Sequence, residues 1–342
     1  MVAPERVNDT EQTLAWSREL VDPALRAAID TLPGSMRGIA GYHLGWWDQD
    51  GKRTASGNGK AVRPTLTLLC AALVGGRPAD AVPAAVAVEL VHNFSLLHDD
   101  VMDGDPTRRH RPTAWTVYGT GAAILAGDSL LTLALDVLAG CAHPAAGPGM
   151  RVLSAAVQEL VDGQCADMEF ERRSIVDLAE CQSMAGSKTA ALMGGACALG
   201  GSFGGGSPEQ TGHLRAFGEH VGLAFQHVDD LLGIWGDERT TGKPVYSDLG
   251  NRKKSLPVVY ALTSGTQEGG ELAALYAETK PLADKELRKA ADLIERAGGR
   301  AWSQEQADLL VAQALAHLEH LPPSPAAKEL TGLAHRLTHR TH

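Results

Sequence analysis

Two runs of aspartate lie about 130 residues apart within apolar, helix-forming sequence: His98-Asp99-Asp100-Val101-Met102-Asp103 and Gln226-His227-Val228-Asp229-Asp230. Carboxylates crowded on a mostly apolar face repel one another and resist desolvation. A cluster of this kind on each of two helices requires something cationic between them. Hard divalent cations holding phosphate oxygens are the natural occupant.

Helical geometry sharpens the first cluster. At about 100° per residue, Asp99 and Asp103 stand about 40° apart on one face, one turn from each other. His92 falls within about 20° of Asp99 on the same wheel. The residues before the cluster are Leu90, Val91, Phe94, Leu96 and Leu97, which marks a buried helix. Arg108, Arg109, His110 and Arg111 follow at once. Carboxylates can hold cations at one end of a ligand while guanidiniums grip diphosphate oxygens bidentately at the other. In the second cluster Gln226 and Asp230 are one turn apart with Asp229 beside them. Asp248 and the basic run Arg252-Lys253-Lys254 come after it. Upstream, Lys188 and Thr189 interrupt a run of Ala, Met, Leu and Gly, where a lysine is costly to bury without a partner.

The remaining sequence limits the fold. Alanine and leucine are abundant and strand-type runs are few, so the expectation is an all-α helical bundle around a cavity, in a single domain over 1–342 with frayed ends at 1–10 and 338–342. Helices are expected over 10–32, 61–74, 80–103, 114–139, 150–173, 176–200 and 209–234, with shorter ones over 254–337 and irregular chain carrying exposed tryptophans over 35–60. The Gly-rich stretch 200–208 lacks the Gly-Lys-Ser/Thr ending of a phosphate-binding P-loop and reads as a turn. A net charge of −10 excludes a nucleic-acid surface. Five scattered cysteines read as buried thiols of a reducing cytosol. The first residues do not resemble a signal peptide, and no uninterrupted apolar run reaches the roughly 20 residues of a membrane span, so the expectation is a cytoplasmic protein without stable membrane insertion.

Several short patterns in fixed order then point one way. They are Gly59-Lys60-Ala61-Val62-Arg63-Pro64, Asp99-Asp100-Val101-Met102-Asp103 with Arg108-Arg109, Gly163-Gln164 with Asp167, Lys188-Thr189, Gln226 with Asp229-Asp230, and Gly242-Lys243 with Lys253. Over roughly residues 57–260 the chain resembles the trans-isoprenyl diphosphate synthases (the polyprenyl synthetase family), most of all those making geranylgeranyl diphosphate. The resemblance implies a magnesium-dependent prenyltransferase joining isopentenyl diphosphate to an allylic diphosphate (dimethylallyl, geranyl or farnesyl). It implies three magnesium ions per site, held by Asp99, Asp103 and Asp229. Arg108, Gln164, Lys188, Thr189, Gln226, Lys243 and Lys253 would bind the allylic diphosphate, and Lys60, Arg63, His92 and Arg109 the isopentenyl one. Asp100, Asp167 and Asp230 would support them. Phe94, five residues before Asp99, and the small Ser95 would set chain length. A homodimer is implied as well.

Two departures stand out. Ala61 replaces a second basic residue after the lysine, and Gly233 replaces the aspartate that normally ends the second cluster. Asp237 is too far along to substitute. A class I terpene cyclase would share the first acidic pattern but would lack Lys60, Arg63 and His92, and its second pattern does not match Asp229-Asp230-Leu231-Leu232-Gly233. An inactive regulatory subunit of a synthase pair gains from Gly233 and loses from the other cations and carboxylates present. Farnesyl or longer products are the alternative chain lengths.

Overall fold

The structure is a computed structural model that describes residues 9–54, 61–237, 245–278 and 280–338. Among these residues the fold is all-helical apart from one hairpin of two-residue strands, β1 (Thr107–Arg108) and β2 (Arg111–Pro112), and an isolated bridge between Trp47 and Arg53. The chain groups into two compact units. The first takes Met1–Ala155, Gly195–Arg215 and Leu318–Leu333; the second takes Ala156–Gly194, Ala216–His317 and Ala334–His342. Each unit is assembled from three separate stretches, so the division leaves no linker in the sequence.

In the first unit, α1 (Asp9–Asp30), α2 (Gly34–His43) and α3 (Val62–Leu73) precede the long α4 (Val82–Met102). Pro83 sits in the first turn of α4, where its missing N–H costs nothing. Asp80 accepts from Nε and Nη2 of Arg77 at the 3₁₀ turn that precedes α4. Helix α4 is apolar along most of its length, with Leu90, Val91 and Leu97 almost wholly buried. Its principal neighbour is α6 (Thr120–Gly140), which Gly119, at φ 89°, separates from the short α5 (Ala114–Tyr118). The single helix expected over 114–139 is therefore broken in two. Helix α9 (Ala191–Phe203) closes onto α3: a Cβ on Gly200 would stand 2.8 Å from that of Cys70, and Thr67 Oγ1 donates to the Ala196 carbonyl at 3.1 Å. Residues 200–203 are thus the end of a helix, not a turn.

Residues 35–60 also depart from expectation. Helix α2 occupies part of them, Trp46 is buried, and Trp47 Nε1 donates to the Gly38 carbonyl at 2.8 Å. Gly41 leaves room for the Trp47 ring, which a Cβ there would overlap.

The second unit holds most of α7 (Ala146–Arg172), then α8 (Leu178–Ala185), whose N-terminus carries an Asp177/Glu180 capping box. A π-helical turn, Gly186–Ala190, follows. Helix α10 (Pro208–Trp235) brings the second acidic cluster, and α11 (Ser247–Gly250) and α12 (Leu256–Thr263) come after it. Helices α13 (Gln267–Ala277), α14 (Asp284–Arg296), α15 (Gly299–Glu319) and α16 (Pro325–Thr338) complete the chain. Two cores organise this unit. Ile234, Leu249, Val258, Leu272 and Ile294 meet in one, and Phe170, Cys181, Met184, Leu256 and Val259 in the other.

Among the described residues two helices, 78–102 and 120–140, are long and apolar enough on average to cross a membrane, although charged residues interrupt both. The first is mostly buried within the fold and carries Glu89, Asp99 and Asp100, as a core helix does. The second, α6, exposes Ile124 and Leu125. Cys70, Cys181 and Cys197 are buried as expected, but Cys141 is only half-buried and Cys165 is exposed.

Candidate active site

The C-terminal end of α4 carries Asp99, Asp100 and, at its cap, Asp103. A helix C-terminus already bears partial negative charge, so three carboxylates there oppose the dipole as well as one another. The two neighbouring aspartates divide the work. Asp100 is 1% exposed and turns inward, accepting from Arg108 Nε at 2.7 Å. Burial pushes its carboxyl up to about 6 against the pull of Arg108, with Asp105 and Asp99 adding to the rise. Asp99 and Asp103 are more accessible. Arg108 lies in β1, and the turn of the hairpin places Arg109 and His110 at φ 51° and 59°.

Around that hairpin the first unit gathers further cations. Arg63, near the start of α3, donates from Nη1 to His92 Nε2 at 3.2 Å. His92 is held neutral by burial and by the charges of Arg63 and Arg109, which is the state in which Nε2 can accept. Of the expected isopentenyl set, Arg63, His92 and Arg109 come together; Lys60 lies outside the described residues. The sequence reading missed three neighbours. Glu89, buried one turn before His92, feels both Arg63 and Arg109, and Asn93 Nδ2 donates to its Oε1 at 3.0 Å. His43, at the end of α2, lines a cavity of about 100 Å³ with Asp100, Arg108, Arg109 and Arg111. A carboxylate inside an apolar helix could have drawn attention to Glu89, whereas nothing in the sequence around His43 singles it out.

Burial first, then Arg108 and Arg109, push the His43 imidazole down to about 3, with an opposing pull from Asn93. Between its unfolded value of about 6.5 and that folded value, the unfolded chain holds a proton that the folded one does not. His43 therefore contributes stability above pH 6.5 that is lost as pH falls, by about 1.4 kcal/mol per pH unit. His43→Gln should flatten the acid side of a stability–pH curve measured by urea unfolding. An unchanged slope between pH 6 and pH 4 would contradict this.

In the second unit, close backbone approach builds the site. Gly163 of α7 lies against the π turn, since a Cβ there would stand 2.8 Å from Lys188 Cα. Gly222 of α10 lies against it too, 2.7 Å from Ala190 Cα by the same measure. Four residues beyond each glycine, one helical turn on, a polar side chain meets the turn. Asp167 accepts from Lys188 Nζ at 2.5 Å, and Gln226 Oε1 accepts from Thr189 Oγ1 at 2.6 Å. Lys188 is therefore paired rather than reaching out to solvent. Burial works against the Asp167 charge, but Lys188 and Lys253 outweigh it and leave its carboxyl below the ordinary range.

The chain of bonds continues from Gln226 Nε2 to Asp230 Oδ1 at 2.7 Å, and Leu256 N donates to Asp230 Oδ2 at 2.9 Å. Asp230 is buried like Asp100, and burial pushes its carboxyl up to about 7 despite Lys253. Asp229, beside it, is exposed. Burial opposes the charge of Lys253, but Asp248, Asp167, Asp230 and Asp229 together outweigh it and raise its pKa. Gln164 is 5% exposed, and its side-chain oxygen and nitrogen are both buried without a hydrogen-bond partner, an orphaned amide that fits a bound ligand. Lys243 lies outside the described residues.

Five described residues other than glycine have left-handed φ: Ala61, Arg109, His110, Tyr246 and Arg252. All five adjoin the expected site segments, where strain of this kind concentrates. Among the described residues no three His, Cys, Asp or Glu side chains form a ready-made metal group. The donor chemistry of Asp99, Asp103 and Asp229 nevertheless suits magnesium, which takes one or two carboxylates along with phosphate oxygens and water.

An all-helical fold with an acidic patch on α4, another on α10 and arginines and lysines near each defines an isoprenoid-synthase-like protein. The polyprenyl synthetase family model matches residues 46–294, and the chain belongs to that family. A (2E,6E)-farnesyl diphosphate synthase of Mycobacterium tuberculosis is 47% identical over 336 residues, covering 97% of this chain and 93% of that protein. A geranylgeranyl diphosphate synthase of the same organism is 44% identical over 304 residues, covering 89% and 87%. The crystal structure of a polyprenyl synthetase from Streptomyces coelicolor A3(2) superposes with a TM-score of 0.92 at 45% identity, covering 96% of this chain and 99% of that one. A geranylgeranyl pyrophosphate synthase from Corynebacterium glutamicum, crystallised with isoprenyl diphosphate and magnesium, superposes at 0.80 with 25% identity, covering 99% and 100%. The chain is a polyprenyl diphosphate synthase, a prenyltransferase that makes all-trans prenyl diphosphates.

Proposed function

We propose that this enzyme condenses isopentenyl diphosphate with an allylic diphosphate to give geranylgeranyl diphosphate. The observation that carries the reading is the division of labour in each acidic pair: one aspartate is spent inside the protein, Asp100 on Arg108 and Asp230 on Gln226, while its neighbour stays accessible. Asp99, Asp103 and Asp229 would hold magnesium, three ions in all. Bound there, the metal supplies Lewis acidity to the leaving diphosphate oxygens. Arg108, fixed by Asp100, and Lys188, fixed by Asp167, hold positive charge where the diphosphate departs, and such preorganised charge favours ionisation. Gln164 offers an amide to the allylic group, and Thr189 and a carbonyl of the π turn direct their dipoles at the carbocation. Arg63, Arg109 and neutral His92, with Lys60, grip isopentenyl diphosphate, whose double bond attacks the cation. The departing diphosphate takes the final proton. Lys243 would bind the same diphosphate, and Lys253 helps to close the phosphate site.

Chain length rests on Phe94, which is buried and packs edge-on against His98 at 4.8 Å, with small Ser95 beside it. By resemblance to the family, Phe94 serves as the pocket floor of a twenty-carbon synthase. A fifteen-carbon product is the second reading, favoured by the 47% identity to a farnesyl diphosphate synthase. Phe94→Ala should shift products to longer chains on reversed-phase chromatography; an unchanged distribution would remove Phe94 from the floor. The enzyme acts in the cytoplasm as a homodimer, a pairing that would bury the exposed Ile124 and Leu125, and light scattering measures its mass directly. Incubation with radiolabelled isopentenyl diphosphate and primers of five, ten and fifteen carbons tests the whole reading. Elongated diphosphates support it, cyclised hydrocarbon without elongation would favour a terpene cyclase, and no turnover would favour a regulatory subunit.

A further inference from the structure

We infer that Lys254 is a positioning residue, which clamps its stretch of chain to the end of α7 and so holds the neighbouring Lys253 toward the diphosphate. The inference rests on the reading above, in which Lys253 helps to close the phosphate site. In sequence the run Arg252-Lys253-Lys254 looks like three cations for one anion, but in the structure the three part ways. Arg252 Nη2 donates to the Lys280 carbonyl, and Lys254 Nζ donates to the Phe170 carbonyl at 2.7 Å. Both flanking cations thus go to backbone oxygens. The middle one turns to the acidic cluster: burial works against the Lys253 charge, and Asp248, Asp167, Asp230 and Asp229 sustain it.

Residue 254 is gripped by two helices. Phe170 lies in the last turn of α7, where carbonyls have no partner further along the helix, and its oxygen accepts from Arg173 N at 3.3 Å as well as from Lys254 Nζ. A lysine placed there also meets the negative end of the helix dipole. From α8, Cys181 Sγ donates to the Lys254 carbonyl at 3.4 Å. Two residues on, Leu256 N donates to Asp230 Oδ2 at 2.9 Å, which ties the same stretch to α10. Phe170, Cys181 and Leu256 share one core, so these anchors stand on packed side chains. A lysine ammonium rides on a flexible four-carbon stem, and where it points depends on how firmly its backbone is held. Burial pulls the Lys254 ammonium below its ordinary range, with Glu171 opposing and Arg173 adding to the fall. Partly desolvated and turned to a neutral carbonyl, Lys254 contributes position and leaves the charge to Lys253.

The test is steady-state kinetics of the full-length enzyme with isopentenyl diphosphate and a ten-carbon allylic diphosphate. Lys254→Met keeps most of the stem and removes the ammonium. It should lower kcat/KM for the allylic substrate about 10- to 100-fold, the scale of a misplaced binding group, and change the KM for isopentenyl diphosphate by less than about twofold. Lys254→Arg, which can still donate to the Phe170 carbonyl, should recover most of the loss. In a double-mutant cycle, adding Lys254→Met to Lys253→Met should do almost nothing further, because the first acts through the second. A purely structural role would lower the melting temperature and raise both KM values, and the two losses would multiply. An allylic kcat/KM within about twofold of wild type in Lys254→Met would overturn the inference alone, as would losses that multiply in the double variant. A wild type that forms no elongated product would overturn the prenyl-transfer reading and this inference with it.

Discussion

Asp99→Ala should lower kcat by about a hundred- to a thousandfold, the usual cost of one lost transition-state stabiliser, with no loss of fold. Asp99 and Asp103 are the accessible carboxylates at the end of α4, and a hard cation there depends on their oxygens. The charge that grows on the leaving diphosphate is then left partly unmet. Stability should respond the other way. Asp99 adds to the rise in the Asp100 carboxyl, and it stands at the helix end where negative charge is disfavoured. In metal-free buffer the variant should therefore melt at or above the wild-type temperature. Steady-state kinetics and circular dichroism read the two halves, and near wild-type turnover would remove Asp99 from the metal site.

Asp100→Ala, one residue away, should behave in the opposite manner. The Asp100 side chain is 2% exposed and pairs with Arg108, itself 27% exposed, at 2.7 Å. Breaking a buried ion pair by deleting one partner costs about 3–5 kcal/mol, and the partial exposure of Arg108 brings the expectation to about 2–3 kcal/mol. For a chain of this size that lowers the melting midpoint by roughly 3–4 °C. Activity should fall too, because Arg108 loses the contact that aims it. A variant that melts with the wild type would show that the Asp100–Arg108 bond does not anchor the hairpin.

Helix positions were legible wherever apolar periodicity ran unbroken, as in α1, α4, α7 and α10. They were illegible where glycine does structural work. Gly34, Gly38 and Gly41 made residues 35–43 look irregular, although Gly41 is what admits Trp47, and Gly119 splits a helix that composition alone would join. The order of the acidic and basic patterns gave the family. The resemblance separated Asp99 from Asp100 and Asp229 from Asp230, but periodicity gave no reason for the split, because which of two adjacent carboxylates turns inward depends on partners such as Arg108 and Gln226. The pairing of Lys188 with Asp167 likewise depends on a π turn and on Gly163, neither of which periodicity reveals.

The central claim is that Asp99, Asp103 and Asp229 share magnesium around one diphosphate. A crystal structure with magnesium and an unreactive thio-analogue of an allylic diphosphate tests it most directly. The account predicts carboxylate oxygens of all three residues about 2.1 Å from metal ions that also touch the analogue's phosphate oxygens. Metal bound by one cluster alone, with Asp229 turned away from the diphosphate, would contradict it.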